Sequence, residues 1–184
     1  ALFIDEAHHI GARTWRGFRA WFTEAATDKL IFQFTATPFR EDGGKVDGKF
    51  IYYYPLAKAQ NEDYFGKIDF RAVSDLDGDE TDEEILRLVG ETLDRDIAEG
   101  RNHLAMVRCK KINRAEKLHE RYAAELARYN PVIVHSNQSA SVRRENLATL
   151  RRCDSRIVVC VDMLGEGFDL PELKIAGVHD VFAS

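Results

Sequence analysis

Cysteine is scarce in this sequence of 184 residues, which contains only Cys109, Cys153 and Cys160. The number is odd, and no two of them show C-x-x-C spacing. The sequence also lacks an H-E-x-x-H motif, so neither a disulfide scaffold nor a zinc site is indicated. We therefore expect free thiols and a cytoplasmic location, with association with the nucleoid if the source is bacterial.

Long apolar runs are also missing. No stretch approaches the roughly 18–20 apolar residues that a membrane-spanning helix needs, so no membrane partner is expected. Hydrophobic residues nevertheless make up 45% of the chain, which is enough for a packed core. The length suits one domain, or one domain with part of another.

Acidic and basic residues are unevenly distributed, although the formal net charge is only −5. Residues 71–100 contain 11 acidic and 3 basic side chains, a net charge of −8, whereas residues 101–156 contain 13 basic and 5 acidic side chains, a net charge of +8. The basic stretch could face a phosphate backbone, or the two stretches could be solvated helix faces of opposite sign. Charge alone favours neither interpretation.

The hydrophobic pattern predicts an α/β fold. Short apolar runs predict strands at 1–4, 30–34, 50–54, 104–107, 131–134, 157–161 and 175–178. Three- and four-residue spacing predicts helices at 13–27, 112–128 and 141–152, and a further one begins at a capping box formed by Thr81 and Glu84. Alternating strands and helices indicate parallel sheets covered on both faces, with ligands at the carboxyl ends of the strands.

The first polar cluster follows the first predicted strand in the stretch FIDEAHH. Asp5 stands where a rigidly held carboxylate could reach the water shell of a magnesium ion. Glu6, one position on, could orient an attacking water. A bare pair of acids in a surface loop is the competing interpretation, which the preceding apolar strand and His8 make less favourable.

Two further clusters also follow strands. In TATPFR, Thr35 and Thr37 alternate, so both hydroxyls can face one side of the strand exit. In VCVDMLGEGFDLP, Gly165 and Gly167 permit close approach of backbone to a ligand, and Asp169 could accept hydrogen bonds from a ribose. Ordinary turns after strands would account for either cluster taken alone.

Basic side chains follow two more strands. His135 and Ser136 precede a helix that carries Arg143 and Arg144, and Arg108, Lys110 and Lys111 follow the strand at 104–107. Either group could bind phosphates or form a solvated rim. By contrast, Gly43 to Lys49 matches G-x-x-x-x-G-K but is followed by Phe50, so the hydroxyl of a phosphate-binding loop is missing and we interpret it as a turn.

The order of these clusters resembles the superfamily 2 helicases and translocases of DEAD/DEAH type. FIDEAHH looks like motif II, TAT like motif III and GEGFDLP like motif V, the last in the form found in the restriction-enzyme and DNA-repair branch. The resemblance implies two RecA-like parallel sheets, with ATP in the cleft between the two domains. It implies ATP and magnesium as cofactors and a nucleic acid as partner, DNA in preference to RNA, with subunits of a restriction or repair complex as possible further partners.

The resemblance also implies roles for individual residues. Asp5 would hold magnesium through water and Glu6 would polarise the attacking water, while His8, Thr35 and Thr37 would couple hydrolysis to domain movement. The nucleotide would be faced by Gly167 and Asp169. The nucleic-acid strand would lie near Arg108, His135, Ser136, Met163, Leu164 and Gly165.

The domain organisation follows from the same resemblance. Residues 1–56 would be the C-terminal part of the first motor domain, residues 57–70 a connector, and residues 71–184 most of the second motor domain. The family's P-loop would precede Ala1, and its arginine motif Q-x-x-G-R-x-x-R would follow Ser184; neither string occurs in these residues. We therefore expect an internal piece of a longer motor, inactive as an ATPase by itself because phosphate-binding and transition-state groups are missing.

Two other functions stay open at this point. The chain could be a non-enzymatic RecA-like module that binds nucleic acid or a protein through the basic stretch at 101–156. It could also be an unrelated α/β enzyme with coincidental motifs, although five matches in the family's order argue against coincidence.

Overall fold

A computed structural model describes residues 1–7, 13–24, 29–36, 46, 48–64, 66–73, 78–161 and 170–180, with side chains of the first helix described from Gly17 onward. The chain divides into two compact units, Ala1–Asp69 and Phe70–Ala183. No helix in these ranges is long and apolar enough to cross a membrane.

The first unit contains a two-stranded parallel sheet. Strand β1 (Leu2–Ile4) pairs with β2 (Ile31–Gln33), and helix α1 (Arg13–Glu24) lies between them in the chain. Its small core comprises Ile4 and Ala7, against which Leu2, Ile31 and Val46 pack. A short helix, α2 (Leu56–Asn61), follows and overlaps the stretch expected to be a connector.

An aromatic row lies exposed on this small sheet. The Phe3 ring stacks on Phe32 with centroids 5.2 Å apart and on Phe34 at 6.4 Å. Phe3 is 67% exposed and Phe34 54% exposed. The sheet therefore retains one apolar surface that the described residues do not cover.

The second unit is a four-stranded parallel sheet with the strand order β4-β5-β3-β6. Its strands are β3 (Leu104–Cys109), β4 (Val132–Val134), β5 (Ile157–Val161) and β6 (Leu173–Val178). Its helices are α3 (Gly78–Ala98), α4 (Ile112–Glu125) and α5 (Ala140–Arg151), with a 3-10 turn at Ala127–Tyr129.

Helices cover both faces of this sheet. Alternate strand residues point to opposite sides, so Val107 and Val159 join the core beneath α3 and α4, whereas Val158 and Cys160 join the core that includes Leu150 of α5. Because these strands are buried on both faces, their sequences are continuous apolar runs and do not alternate with polar residues. The predicted parallel sheet with helices on both faces is confirmed for this unit.

Two local predictions were wrong. Residues 50–54 are not in a strand, because β-propensity needs a neighbouring strand to act on and these residues pair with none of the described ones. Helix α3 begins at Gly78, so Thr81 lies inside the helix rather than capping it. The acidic residues Asp79 and Glu80 occupy the first turn instead, where the helix dipole favours negative charge.

Candidate functional site

The first unit brings three predicted site residues to one sheet edge. Asp5 and Glu6 directly follow β1, and Thr35 lies two residues beyond the end of β2. The Ala7 N–H donates to the Phe34 carbonyl at 2.9 Å, which holds the two strand exits side by side. Both carboxylates are exposed, and Thr35 is half-buried.

The turn after β1 is tightly formed. Glu6 has a φ of 48°, in the left-handed region that a residue with a side chain seldom adopts. Its N–H donates to Asp5 Oδ1 at 2.9 Å, and the neighbouring Ala7 is fully buried. Such strain persists only where the surroundings impose it, and it commonly marks functional turns.

The donor set at this turn fits magnesium held through water. Magnesium keeps several waters and takes one or two carboxylates from a protein, and Asp5 and Glu6 supply two exposed ones. In the described part of the chain, no group of three or more His, Cys, Asp or Glu side chains could hold a metal directly.

Seven predicted site residues lie outside the described residues. They are His8, Thr37, Met163, Leu164, Gly165, Gly167 and Asp169. Their assigned roles stay predictions.

In the second unit, a basic group lies at the carboxyl end of β3. Arg108 is half-buried near the end of the strand, and Lys110 and Lys111 are exposed where α4 begins. The first turn of α4 carries no acidic residue. The partial positive charge of the helix N-terminus therefore adds to the charge of the lysines.

The loop after β4 reaches the same edge of the sheet. One strand, β5, separates β4 from β3, so the two strand ends are about 10 Å apart. The His135 N–H donates to Gln138 Oε1 at 3.1 Å, and Arg143 donates to the carbonyls of Ser136 at 3.1 Å and Gln138 at 3.2 Å. These bonds make the loop a preformed structure.

The loop presents its predicted residues unequally. The Ser136 and Arg144 side chains are exposed, whereas His135 is only 7% exposed. The His135 Nδ1 atom has no hydrogen-bond partner among the described residues, and Nε2 lies 4.0 Å from Glu116. The sequence made Arg143 a candidate phosphate ligand. In the structure its guanidinium donates to backbone carbonyls of the loop.

A buried polar cluster at the end of β6 was missed by the sequence reasoning. His179 Nδ1 lies 2.7 Å from Asp82 Oδ1, and its Nε2 lies 2.9 Å from the Tyr122 hydroxyl. Arg114 donates through Nη2 to Asp82 Oδ1 at 2.8 Å and through Nε to Asp180 Oδ1 at 2.7 Å. The only signal in the sequence was a His-Asp pair directly after an apolar run.

Burial sets the direction of the pKa shift for two groups of this cluster, and neighbouring acidic groups set it for a third. It lowers the pKa of His179, against the opposing effect of the Asp82 carboxylate. Burial also raises the pKa of the Tyr122 hydroxyl. Although burial disfavours its charge, Asp82 and Asp180 together raise the pKa of Arg114. Burial therefore favours the neutral forms of His179 and Tyr122, whereas the two acidic neighbours of Arg114 favour its charged form.

Comparison with known proteins identifies the family. The parallel α/β architecture is that of a RecA-like domain, similar to the structure of S. cerevisiae Dbp5 bound to RNA and ADP BeF3, with a TM-score of 0.54 at 12% identity over 99% of this chain and 44% of that chain. The family model described as "Helicase conserved C-terminal domain" matches residues 83–182. The chain belongs to this helicase family, as its motif order predicted.

Two more relatives are similar over shorter stretches. UvrABC system protein B of Thermosipho africanus (strain TCF52B) is 39% identical over 80 residues, which is 44% of this chain and 12% of that protein's length. The helicase Lhr of Mycobacterium smegmatis, bound to ssDNA and AMP-PNP, gives a TM-score of 0.42 at 21% identity over 55% of this chain and 13% of that chain.

Proposed function

We propose that this chain is part of an ATP-dependent DNA helicase or translocase whose second unit binds a nucleic-acid strand along the carboxyl edge of its sheet. The observation that carries the proposal is the convergence of Arg108, Lys110 and Lys111 with the preformed loop at Ser136 on that edge. Lysine and arginine side chains there can neutralise phosphates, and exposed hydroxyl and backbone groups can position the strand.

Family membership supports the ATP-dependent part of the proposal. Dbp5 is described with RNA and ADP BeF3, and Lhr with ssDNA and AMP-PNP. We place Asp5 and Glu6 at the magnesium–nucleotide site, where Asp5 holds the water shell of the ion and Glu6 orients the attacking water. Thr35 follows the neighbouring strand at the same sheet edge, and we propose that it couples ATP hydrolysis to domain movement.

Binding of a labelled single-stranded DNA of about 15 nucleotides tests the proposal, with RNA of the same sequence as comparison. Replacing Lys110 and Lys111 together with Gln should weaken binding and reduce the slope of log K against log salt by roughly 1 to 2, because two phosphate contacts are lost. Fluorescence anisotropy across a salt series measures both quantities.

A matched charge change provides the control. Arg101 and Arg128 lie toward the opposite edge of the sheet, where they pair with Asp96 and Asp94. Replacing both with Gln removes the same charge and should leave the salt slope within error of the original. Equal losses for the two double variants would mean that binding follows overall charge, and the proposed edge would be wrong.

A further inference from the structure

The buried cluster at the end of β6 joins the chain that leaves β6 to the chain that leaves β3. The Lys110 N–H donates to Asp180 Oδ2 at 2.6 Å, and the His179 N–H donates to the Arg108 carbonyl at 3.0 Å. Two residues of the proposed nucleic-acid edge, Arg108 and Lys110, are thus bonded through their backbones to the residues that follow β6.

Arg114 holds this junction from α4. Its guanidinium donates to the Asp180 side chain, to the His179 carbonyl at 3.0 Å and to Asp82 in α3. A planar guanidinium fixes the directions of its donors, which a lysine ammonium does not do. Arg114 therefore sets the position of Asp180, and Asp180 in turn sets the backbone of Lys110.

Stability alone does not explain why these charged groups lie partly or fully out of water. The Asp82 side chain is 5% exposed, Asp180 20% and Arg114 34%. A well-packed apolar group is commonly as stabilising as a buried ion pair, because taking charges out of water is costly. What a network of this kind supplies is a single geometry for the groups bonded to it.

We propose that Arg114 and Asp180 are positioning residues for nucleic-acid binding. They fix Arg108 and Lys110 at the spacing that a phosphate backbone requires, without contacting the nucleic acid themselves. The inference rests on the proposed nucleic-acid function of the same edge.

Replacing Asp180 with Asn gives a test in which two explanations predict opposite signs. Removing a negative charge near a basic edge should strengthen DNA binding if charge alone matters. Arg114 Nε and the Lys110 N–H donate to different oxygens of Asp180, and an amide has only one acceptor oxygen, so its NH2 group would face one of these two donors. If Asp180 positions Lys110, one of the two bonds is therefore lost and binding should weaken. We expect a loss of roughly tenfold in affinity, typical of positions that act on a site indirectly.

The salt dependence separates positioning from direct contact. Arg114→Met should weaken binding by a similar factor and leave the salt slope unchanged, because no phosphate contact is removed. A direct contact would lower the slope by roughly 0.7 on single-stranded DNA. Arg114→Lys keeps the positive charge but loses the planar arrangement of guanidinium donors. Its affinity for DNA should therefore lie between those of Arg114→Met and the original chain.

Asp94→Asn is the matched control. Asp94 also accepts from an arginine, Arg128, and from a second donor, the Tyr129 hydroxyl, but it lies toward the opposite edge of the sheet. Its replacement should leave the affinity within about twofold of the original, the size expected of a surface substitution.

The experiment uses the 184-residue chain with the labelled DNA, after thermal unfolding has shown that each variant is folded at the binding temperature. Original and control chains that fail to bind would overturn the proposed function and this inference with it. An original chain that binds, with an Asp180→Asn variant that binds equally or more tightly, would overturn the inference alone. If Arg114→Met does not fold, Asp180→Asn decides the question, since Asp180 is the less buried of the two carboxylates.

Discussion

The hydrogen bonds of the buried His179 ring depend on its protonation state. Its side chain is fully buried between Asp82 and the Tyr122 hydroxyl. In the neutral ring, Nδ1–H donates to Asp82 while Nε2 accepts from Tyr122, so all three groups are satisfied. Protonation of Nε2 would turn that atom into a donor and leave the Tyr122 hydroxyl proton without its acceptor.

The stability of the second unit should therefore fall at acidic pH. The pKa of His179 is lowered by burial, so the unfolded chain binds the proton more readily than the folded one. Its stabilisation is complete above the unfolded pKa of about 6.5 and is lost as the pH falls from there toward the lower folded pKa. Asp82, Arg114, Tyr122 and Asp180 are the titratable groups around it, and Asp82 and Asp180 limit the effect.

His179→Gln tests this dependence, because an amide can donate to Asp82 and accept from Tyr122 but does not titrate. The free energy of unfolding from denaturant titrations between pH 5 and 8 should decline less steeply toward acid in the variant than in the original chain. Identical pH profiles for the two chains would contradict the assigned role of His179.

Close approach of α3 to β6 depends on Gly177. A Cβ atom built on Gly177 would lie 3.0 Å from Val89 Cγ2 and 3.3 Å from Ile85 Cγ2, and 3.5 Å from the Tyr122 hydroxyl. Val89 is branched at Cβ and buried, so it has little freedom to move aside. The strand and helix can pack at this distance only because the residue between them has no side chain.

Gly177→Ala should therefore destabilise the second unit by about 1–3 kcal/mol, the usual cost of overpacking. Gly78→Ala is the comparison, since nothing lies within 4 Å of its Cβ position and its free energy change should stay within about 0.5 kcal/mol. Chemical denaturation monitored by circular dichroism measures both. A Gly177→Ala variant as stable as Gly78→Ala would show that α3 adjusts without strain.

The elements of the second unit were predictable because burial on both faces leaves a local signature. The strand at 157–161 was predicted with the bounds of β5, and β3 and β4 were each located within two residues. Residues 50–54 failed the same reasoning, because aromatic residues favour a strand only when a partner strand is present. The local sequence pattern shows that a segment favours a strand, but it does not show whether a partner strand lies beside it.

For the candidate site, the sequence indicated where residues lie. Asp5, Glu6 and Thr35 follow strands, and parallel pairing brings them to one edge of the sheet, while the roles implied for them by the family resemblance stay predictions. The Arg114 network could not be predicted, because Asp82 and His179 are 97 positions apart and meet only in the folded sheet. The sequence also indicated Arg143 as a candidate phosphate ligand, but its hydrogen bonds go to the backbone of the loop.

At the scale of the whole molecule, the two units differ in how much structure supports each strand. In the first unit, β1 and β2 are three residues each and pair only with one another among the described strands. In the second, β3 lies between two neighbours and is covered on both faces. A two-stranded sheet is marginally stable in water, whereas a covered central strand opens only with its whole domain.

Amide hydrogen exchange should therefore separate the units. The N–H groups of β1 and β2 should exchange faster than those of β3 and β5 by roughly a hundredfold or more, which corresponds to about 3 kcal/mol of opening free energy. Mass spectrometry of peptic fragments from the intact chain measures the two regions side by side. Equal protection of β1 and β3 would show that the first unit is stabilised to the same extent as the second.

The central position of β3 has a consequence during protein synthesis. It is the first strand of the second unit to be made, but its partners, β5 and β6, are the last: Arg108 pairs with Val178, 70 positions later. At about 5–20 residues per second, roughly 4 to 14 s pass between the two. For most of that interval, until β5 has also been made, β3 has neither neighbour available. The nascent chain is thus exposed to misassociation for as long as the last strand is missing, and the sheet can close only once β6 has been translated and released from the exit tunnel.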